Sequence, residues 1–404
     1  MNVPLIADTL KNGKEVAFYG ATSESIQMIT ELSEVYQILP SFIIDGDNKK
    51  HGKMLLGVPI LSLQQALERG SEFYIYIASR TYKYQMIGNL LVASVSSERI
   101  MNFESVERRR SCNYLEGHIV IVDHKLQFCC SDFGKGKSPY VNYIGDANST
   151  IKKFIEYRRE NLKNIKEHKW TECGECPYIT EDWYPINSKI VLINYAEGGI
   201  CNFECIYCNS DAKNAKNNDA KISFIDTIKS LRLMNLLADD AEYLIDPGEI
   251  SVHPQRTDIL NLCKKNRTII FTNGCVFRTE IADMLGNGAA VLNISIDAGT
   301  RETFNRVKGI DCFYEVRENL IRYGKRSARC IEPKYIFLPG INDNEEDVDG
   351  FVNLCNDISA GIVQISSELN TPLGDHTIAM VKRMINKLEF NNLIYRVITD
   401  KVKL

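Results

Sequence analysis

No apolar run in the chain approaches the ~20 residues that a helix needs to cross a bilayer, which argues against a membrane-spanning protein. An excess of basic residues is also missing. The 48 Lys and Arg stand against 52 Asp and Glu, for a formal net charge of -4, and this argues against a nucleic-acid partner. Residues 1–14 show neither a basic leader nor an apolar core, so no secretory signal is read there and the cytoplasm is the expected location. A Gly-x-Gly-x-x-Gly fingerprint is absent, since Gly20 is followed by Ala-Thr-Ser-Glu-Ser, and no dinucleotide site is claimed. What remains is a chain of 404 residues, 44% hydrophobic and 25% charged, the composition of a soluble globular protein of two or three domains.

Cysteine is the residue in surplus. There are 13, an odd number in a chain without an export signal, which makes a disulfide framework an unsuitable explanation. Eight fall between Cys112 and Cys208, where clustering suggests metal ligands. The other five, Cys263, Cys275, Cys312, Cys330 and Cys355, are scattered and read as buried apolar thiols.

Three segments are expected. In the first, 1–105, Glu15-Val-Ala-Phe-Tyr-Gly20 reads as a strand ending in a glycine turn. A helix follows over 23–37 with Ser23 as its N-cap, then strands at 41–45 and 72–78 and a helix at 82–95. Strands alternating with helices imply a small parallel sheet of Rossmann type. The order of Gly20, Asp45 and Gly57-Val-Pro-Ile60 resembles the Rossmann-like domains attached to polysaccharide-associated acyltransferases and methyltransferases. Asp45 lies 25 residues beyond Gly20, near where a ribose-binding acid would stand, but Asp is so common in turns that a strand-end turn residue is the preferred reading.

The second segment, 106–187, carries Cys112, Cys129, Cys130, Cys173 and Cys176. A hairpin formed by 118–123 and 126–128 delivers Cys129-Cys130 at its end, and an amphipathic stretch over 150–166 leads to Cys173-Gly-Glu-Cys176. A C-x2-C pair on a turn lets two thiolates converge on one metal, and a distant pair completes four ligands, so five candidates compete for four places. The layout resembles the SPASM or twitch auxiliary-cluster module of radical S-adenosylmethionine (SAM) enzymes, although there the module follows the core and here it precedes it. The metal is accordingly a second [4Fe-4S] cluster or zinc.

The third segment, 188–404, reads as strands at 189–195, 241–245, 268–272, 290–296, 334–338 and 362–365, with helices between them at 222–236, 278–285 and 346–358. Six βα units imply an α/β fold of the partial (β/α)6 TIM-barrel kind, with functional residues at the C-terminal ends of the strands. Directly after the first strand, Cys201, Cys205 and Cys208 form a C-x3-C-x2-C loop. Three thiolates bind three irons of a [4Fe-4S] cluster and leave the fourth open to an outside ligand. Gly198 and Gly199 let the backbone fold tightly around a bulky group, while Phe203 and Tyr207 exclude water. A zinc knuckle is the competing reading, but no fourth Cys or His lies in the loop, and Cys173 and Cys176 are distant in sequence.

The loop Gly199-Ile-Cys-Asn-Phe-Glu-Cys-Ile-Tyr-Cys208 resembles that of the radical SAM superfamily, and later strand ends match the family's motifs in order over most of 188–370. Asp246-Pro-Gly-Glu249 resembles the Gly-Gly-Glu turn that binds the methionine amino group of SAM, so Gly248 and Glu249 carry over while Pro247 departs from the pattern. Phe271-Thr-Asn-Gly274, with Asn273, matches the third-strand end. Asn293-Ile-Ser-Ile-Asp-Ala-Gly-Thr300 matches the fourth, where alternation places Ser295 and Asp297 on one interior face, towards the SAM ribose or the substrate. Lys334 and Asn342 are further interior candidates, and 365–369 ends the sixth strand, where relatives place adenine contacts.

The resemblance implies reductive cleavage of SAM to a 5′-deoxyadenosyl radical that abstracts hydrogen from a substrate, with an electron donor such as flavodoxin or ferredoxin. The N-terminal domain tilts the substrate towards a carbohydrate, sugar nucleotide or related small molecule. A peptide- or protein-modifying maturase is the second expectation, and a non-catalytic iron–sulfur scaffold the third. Intact Gly248, Glu249, Ser295 and Asp297 argue against the scaffold, which needs no SAM pocket.

Overall fold

A computed structural model describes residues 3–70, 72–79, 82–129, 138–174, 176–196, 200–208, 222–368 and 371–398. They group into two compact units. One comprises Met1–Ile119, Phe128–Tyr140 and Lys152–Val191, the other Val120–Gln127, Val141–Ile151 and Leu192–Leu404.

The first unit begins with strands β1 (Glu15–Tyr19), β2 (Phe42–Ile44), β3 (Met54–Leu55), β4 (Val58–Leu61) and β5 (Phe73–Ile77). They form a sheet in the order β3-β4-β2-β1-β5, parallel except for the short hairpin of β3 with β4. Alternate residues feed two cores. Val16, Phe18 and Ile43 pack with Ile6 and Leu32 on one side, while Ala17, Tyr19, Phe42 and Ile75 pack with Ile87 and Leu90 on the other. A sheet buried on both faces explains why these strands read as continuous apolar runs rather than as alternating ones. The helix Ser23–Tyr36 starts one residue earlier than a cap at Ser23 would place it. Thr22, not Ser23, is its N-cap, and its hydroxyl accepts the Ser25 N–H at 3.3 Å in a capping box.

The same unit holds β6 (Val106–Ser111), and the chain continues through β7 (His118–Val122), β8 (Lys125–Gln127), β9 (Tyr140–Asn142) and β10 (Thr180–Pro185). β10 runs antiparallel to β6, with Thr180 opposite Ser111. Trp183 of β10 packs so closely on the helix Lys83–Val92 that a Cβ on Gly88 would lie 2.1 Å from its ring.

The second unit is built on β11 (Ile190–Tyr195), β12 (Leu237–Ile245), β13 (Thr268–Thr272), β14 (Ala290–Ser295), β15 (Ile331–Phe337), β16 (Val363–Ser367) and β17 (Tyr395–Val397). Its sheet has the order β17-β16-β15-β14-β13-β12-β11-β7-β8-β9, parallel from β12 to β17, with helices such as Thr279–Gly286, Phe313–Ser327 and Glu345–Asp357 in the connections. The protein is thus a mixed α/β chain with parallel sheets. The six expected strands are present, and the sheet extends beyond them at both ends. β17 joins β16, and the apolar hairpin of β7 and β8 continues the sheet past β11. Alternation also ends earlier than expected. β14 stops at Ser295, and Asp297 adopts a left-handed backbone at φ 58°, so it does not share the Ser295 face.

Candidate functional site: two cysteine centres

The loop carrying Cys201, Cys205 and Cys208 leaves the end of β11. Cys201 and Cys208 are exposed and Cys205 is half-buried. The three lie within electrostatic reach of one another. Burial raises the Cys201 thiol pKa, with Glu249 and Cys208 adding to it and the Phe203 N–H and Asn273 opposing. For Cys205 burial again dominates, Lys308 pulls the value down, and Asp297, Cys201 and Cys208 push it up. The Phe203 N–H points at Cys201 Sγ from 3.4 Å, and Cys208 N–H closes a turn on the Cys205 carbonyl at 3.2 Å. Such N–H···S contacts stabilise thiolate ligands. The expected glycines Gly198 and Gly199 lie outside the described residues.

Neighbouring strand ends reach this loop. Glu249, after β12, is buried, and its carboxylate accepts the Ser251 N–H at 2.8 Å, the Thr272 hydroxyl at 2.7 Å and the Asn273 N–H at 2.6 Å. Of about four lone-pair sites on a carboxylate, one therefore remains for another donor. Gly248 turns at φ 71°, and the Glu249 N–H bonds the Ile200 carbonyl at 3.1 Å, just ahead of Cys201. Asn273, after β13, donates to Asn202 Oδ1 at 2.8 Å and stands 4.0 Å from Cys201 Sγ. Ser295 is half-buried at the end of β14. Asp246, which opens the Glu249 turn, has its pKa pushed up to about 6 by desolvation and by Glu249, with Lys334 opposing.

Two interior candidates, Asp297 and Asn342, are bonded within the protein. Asp297 is fully buried, and its carboxylate is occupied by Lys308 Nζ at 2.5 Å, by the Tyr207 hydroxyl and by the Ile336 N–H at 2.7 Å. The left-handed backbone turns it back into the protein, beneath the cysteine loop. Asn342 is buried as well, accepting from Leu338 N–H at 2.8 Å and donating to the Asp297 and Ile336 carbonyls, each at 2.8 Å, so it ties the loop after β15. Lys308 was not among the candidates read from the sequence, because a lysine ending an amphipathic helix ordinarily points to solvent.

The second group of cysteines lies in the first unit. Pairing of β10 with β6 sets the turn before β10 beside the end of β6, which brings Cys176 and Cys112 together across the fold. Cys112 is buried and pushed up to about 11, chiefly by burial, with Leu115 and Tyr114 N–H groups opposing and Cys176 and Cys129 adding. Cys173 is pushed up to about 12 by burial and then by Cys129, Cys112, Cys176 and Glu172. Cys112, Cys129, Cys173 and Cys176 are thus mutual neighbours, while Cys130 lies outside the described residues. The Cys173–Cys176 turn is closed by the Cys176 N–H on the Cys173 carbonyl at 3.0 Å and anchored by Arg110, which donates to Gly174 O at 3.3 Å. Cys129 Sγ contacts the Ser138 hydroxyl at 3.1 Å. The buried Arg158 packs on the rings of Phe128 and Phe154 and donates to the His118 carbonyl at 2.7 Å. Among the described residues no three His, Cys, Asp or Glu side chains converge as the ligands of one metal ion. A cubane cluster, by contrast, takes each thiolate on a different iron, so its ligands stand further apart.

In the β1–β5 sheet, Asp45 accepts the Ala21 N–H at 2.7 Å, the Asp47 N–H at 2.8 Å and Lys50 Nζ at 3.1 Å. Its carboxylate is engaged by its own loops, as a strand-end turn residue.

No family model matches the chain. Curated relatives do, among them proteins named GTP 3′,8-cyclase. The one from Vibrio parahaemolyticus is 24% identical over 175 residues, which is 42% of this chain and 52% of that protein. The one from Clostridium acetobutylicum is 27% identical over 167 residues, 40% of this chain and 51% of that protein. Among solved structures, a radical SAM methyltransferase from Sphaerobacter thermophilus covers 63% of this chain and 84% of its own, with a TM-score of 0.39 and 12% identity. These similarities support the radical SAM superfamily for this chain. It spans about half the length of the curated relatives it matches. Radical SAM proteins bind a [4Fe-4S] cluster and SAM. The residues present fit that pair: three neighbouring thiols on a loop with an open side, and beside them Glu249 with an acceptor site to spare. No helix among the described residues is long and apolar enough to cross a membrane.

Proposed function

We propose that this chain is a radical SAM enzyme in which Cys201, Cys205 and Cys208 hold the SAM-binding [4Fe-4S] cluster. Its second unit would be a partial (β/α)6 barrel and the β1–β5 sheet a Rossmann-like domain. When bound, the cluster and SAM supply reductive cleavage of the sulfonium bond and a 5′-deoxyadenosyl radical that removes a hydrogen from substrate. The observation that carries the reading is the convergence of Glu249 and Asn273, from two strand ends, on the cysteine loop.

Each residue then has a task. Glu249 receives the methionine ammonium on its remaining acceptor site, held in orientation by Ser251, Thr272 and Asn273. The turn at Gly248 exposes backbone towards the same group. Asn273 fixes Asn202 and caps the Cys201 sulfur, while Ser295 offers a hydroxyl at the next strand end. Tyr207 has its hydroxyl tied to the protein, so it presents ring and backbone, not its O–H.

Cys112, Cys129, Cys173 and Cys176 would hold a second cluster. The stacked rings of Phe128, the residue before Cys129, and Phe154 offer an apolar environment for such a cluster. The substrate would be a sugar nucleotide, carbohydrate or related small molecule. The relatives' name, which specifies GTP, supports a small molecule over a peptide.

Anaerobically reconstituted protein should release 5′-deoxyadenosine from SAM with dithionite, and Cys205→Ala should release none. Full iron loading of the wild type without cleavage would sink the enzyme reading. Deuterium transfer into 5′-deoxyadenosine from a labelled nucleotide or sugar, and not from a peptide, would identify the substrate class.

A further inference from the structure

The helix Arg301–Lys308 ends against the cysteine loop. Its last two carbonyls accept loop amides, Val307 O from Ile206 N–H and Lys308 O from Glu204 N–H, each at 3.0 Å. Gly309 follows with φ 71°, and a Cβ there would come within 2.9 Å of Glu204 Cβ and its carbonyl, so only glycine lets the two backbones approach this closely. Between these contacts the Lys308 side chain folds inward, 2% exposed, beside the fully buried Asp297. Its ammonium donates to Asp297 at 2.5 Å and to the Tyr207 hydroxyl at 2.7 Å, and that hydroxyl in turn donates to Asp297, which closes a three-membered ring of hydrogen bonds.

Burying an ammonium and a carboxylate carries a large desolvation cost, repaid only when the geometry is good and the remaining donors and acceptors are bonded. An apolar pair would hold the helix equally well. What the charged pair adds is direction, since Tyr207 lies between Cys205 and Cys208, and both charged groups grip it from the protein side. Asp297 is in turn held by the Ile336 N–H, so the grip runs from β15 through Asp297 to the loop.

We infer that Lys308, with Asp297, is a positioning residue that sets the conformation of the Cys205–Cys208 turn before any cluster arrives, by clamping the Tyr207 hydroxyl while its own carbonyl holds Glu204. This rests on the assignment of the triplet as the cluster site. A preset loop keeps three thiols aimed at one volume, which lowers the ordering cost of cluster binding.

Hydrogen exchange on the cluster-free protein reads the clamp directly, at the amides of Glu204 and Ile206. Two variants test it. Tyr207→Phe removes only the hydroxyl. The double variant Lys308→Met with Asp297→Asn removes both charges together, and Asn tolerates the left-handed backbone at 297. Both should raise exchange at those two amides roughly tenfold, the effect of losing a charge-assisted hydrogen bond. Exchange in β14 should stay at its wild-type value. In the loaded protein, chelator should strip iron from the triplet faster by a similar factor, and the EPR g-values of the reduced cluster should shift in Tyr207→Phe. Wild-type exchange, iron retention and g-values in both variants would overturn the inference. A triple Cys201, Cys205 and Cys208→Ala protein gives the iron content without the site. If wild type held no more iron than this triple variant, the cluster assignment itself would fail, and the inference with it.

Discussion

Glu249 Oε2 accepts the backbone N–H of Asn273 at 2.6 Å, which fastens the end of β12 to the end of β13 beside the cysteine loop. With Ser251 N–H and the Thr272 hydroxyl on the other oxygen, three donors surround one buried carboxylate. Replacing it by an amide must turn an NH2 towards at least one of those donors.

Glu249→Gln should therefore cost about 1–3 kcal/mol of stability and weaken SAM binding by roughly tenfold or more. A thermal melt and anaerobic equilibrium dialysis with SAM check the two effects. Unchanged SAM affinity would remove Glu249 from the binding site.

Separate alanine substitutions at Cys112, Cys129, Cys173 and Cys176 should each lower bound iron by about one cluster while the triplet stays loaded. Elemental analysis after reconstitution reads this. Zinc in place of iron would reassign the site as structural, and loss from only two of the four variants would break up the group.

His118 is buried in the first unit, and its ring nitrogens have no hydrogen-bond partner among the described residues. Burial, aided by Arg158, lowers its pKa from the ordinary 6.5 to about 3. Between those values the unfolded chain binds one more proton than the folded chain, so stability rises with pH across the window and is lost on acidification below 6.5. Going from pH 7 to pH 5 should cost on the order of 2 kcal/mol through this residue alone. Urea melts of His118→Phe against wild type should show that much less pH dependence, and parallel curves would refute the assignment.

Gly88→Ala should destabilise the first unit by about 1–3 kcal/mol, because the new methyl overlaps the Trp183 ring in a packed contact. Gly46→Ala, with open space around its added carbon, is the control and should melt within about 0.5 kcal/mol of wild type.

Much of the fold was legible locally. The apolar runs of β1, β5 and β13 are short and bounded by turn residues, and each falls within about a residue of its expected place. Less legible were β7 and β8, which read as a hairpin but gave no sign that they extend the sheet of β11. A hairpin shows its own pairing through its turn, whereas the partner of its outer edge is decided by whatever sheet edge lies exposed nearby. Thr22 was passed over as the cap in favour of Ser23 because both residues are competent acceptors, and only the backbone angles separate them.

Sequence alone determined which thiols share the first centre's loop. The spacing of Cys201, Cys205 and Cys208 puts three thiols on one short loop whatever the rest of the chain does, and the ordered strand-end motifs name the neighbours it will have. Tertiary structure decided which distant side chains meet. Cys112 and Cys176 meet because β6 pairs with β10 over a separation that no local pattern encodes. Asp297 leaves the face of Ser295 because a single left-handed φ redirects it, and it meets Lys308, a helix-end lysine drawn inward by a buried carboxylate. Local periodicity predicts the face on which a side chain starts, but the partner that satisfies a buried charge is chosen by packing.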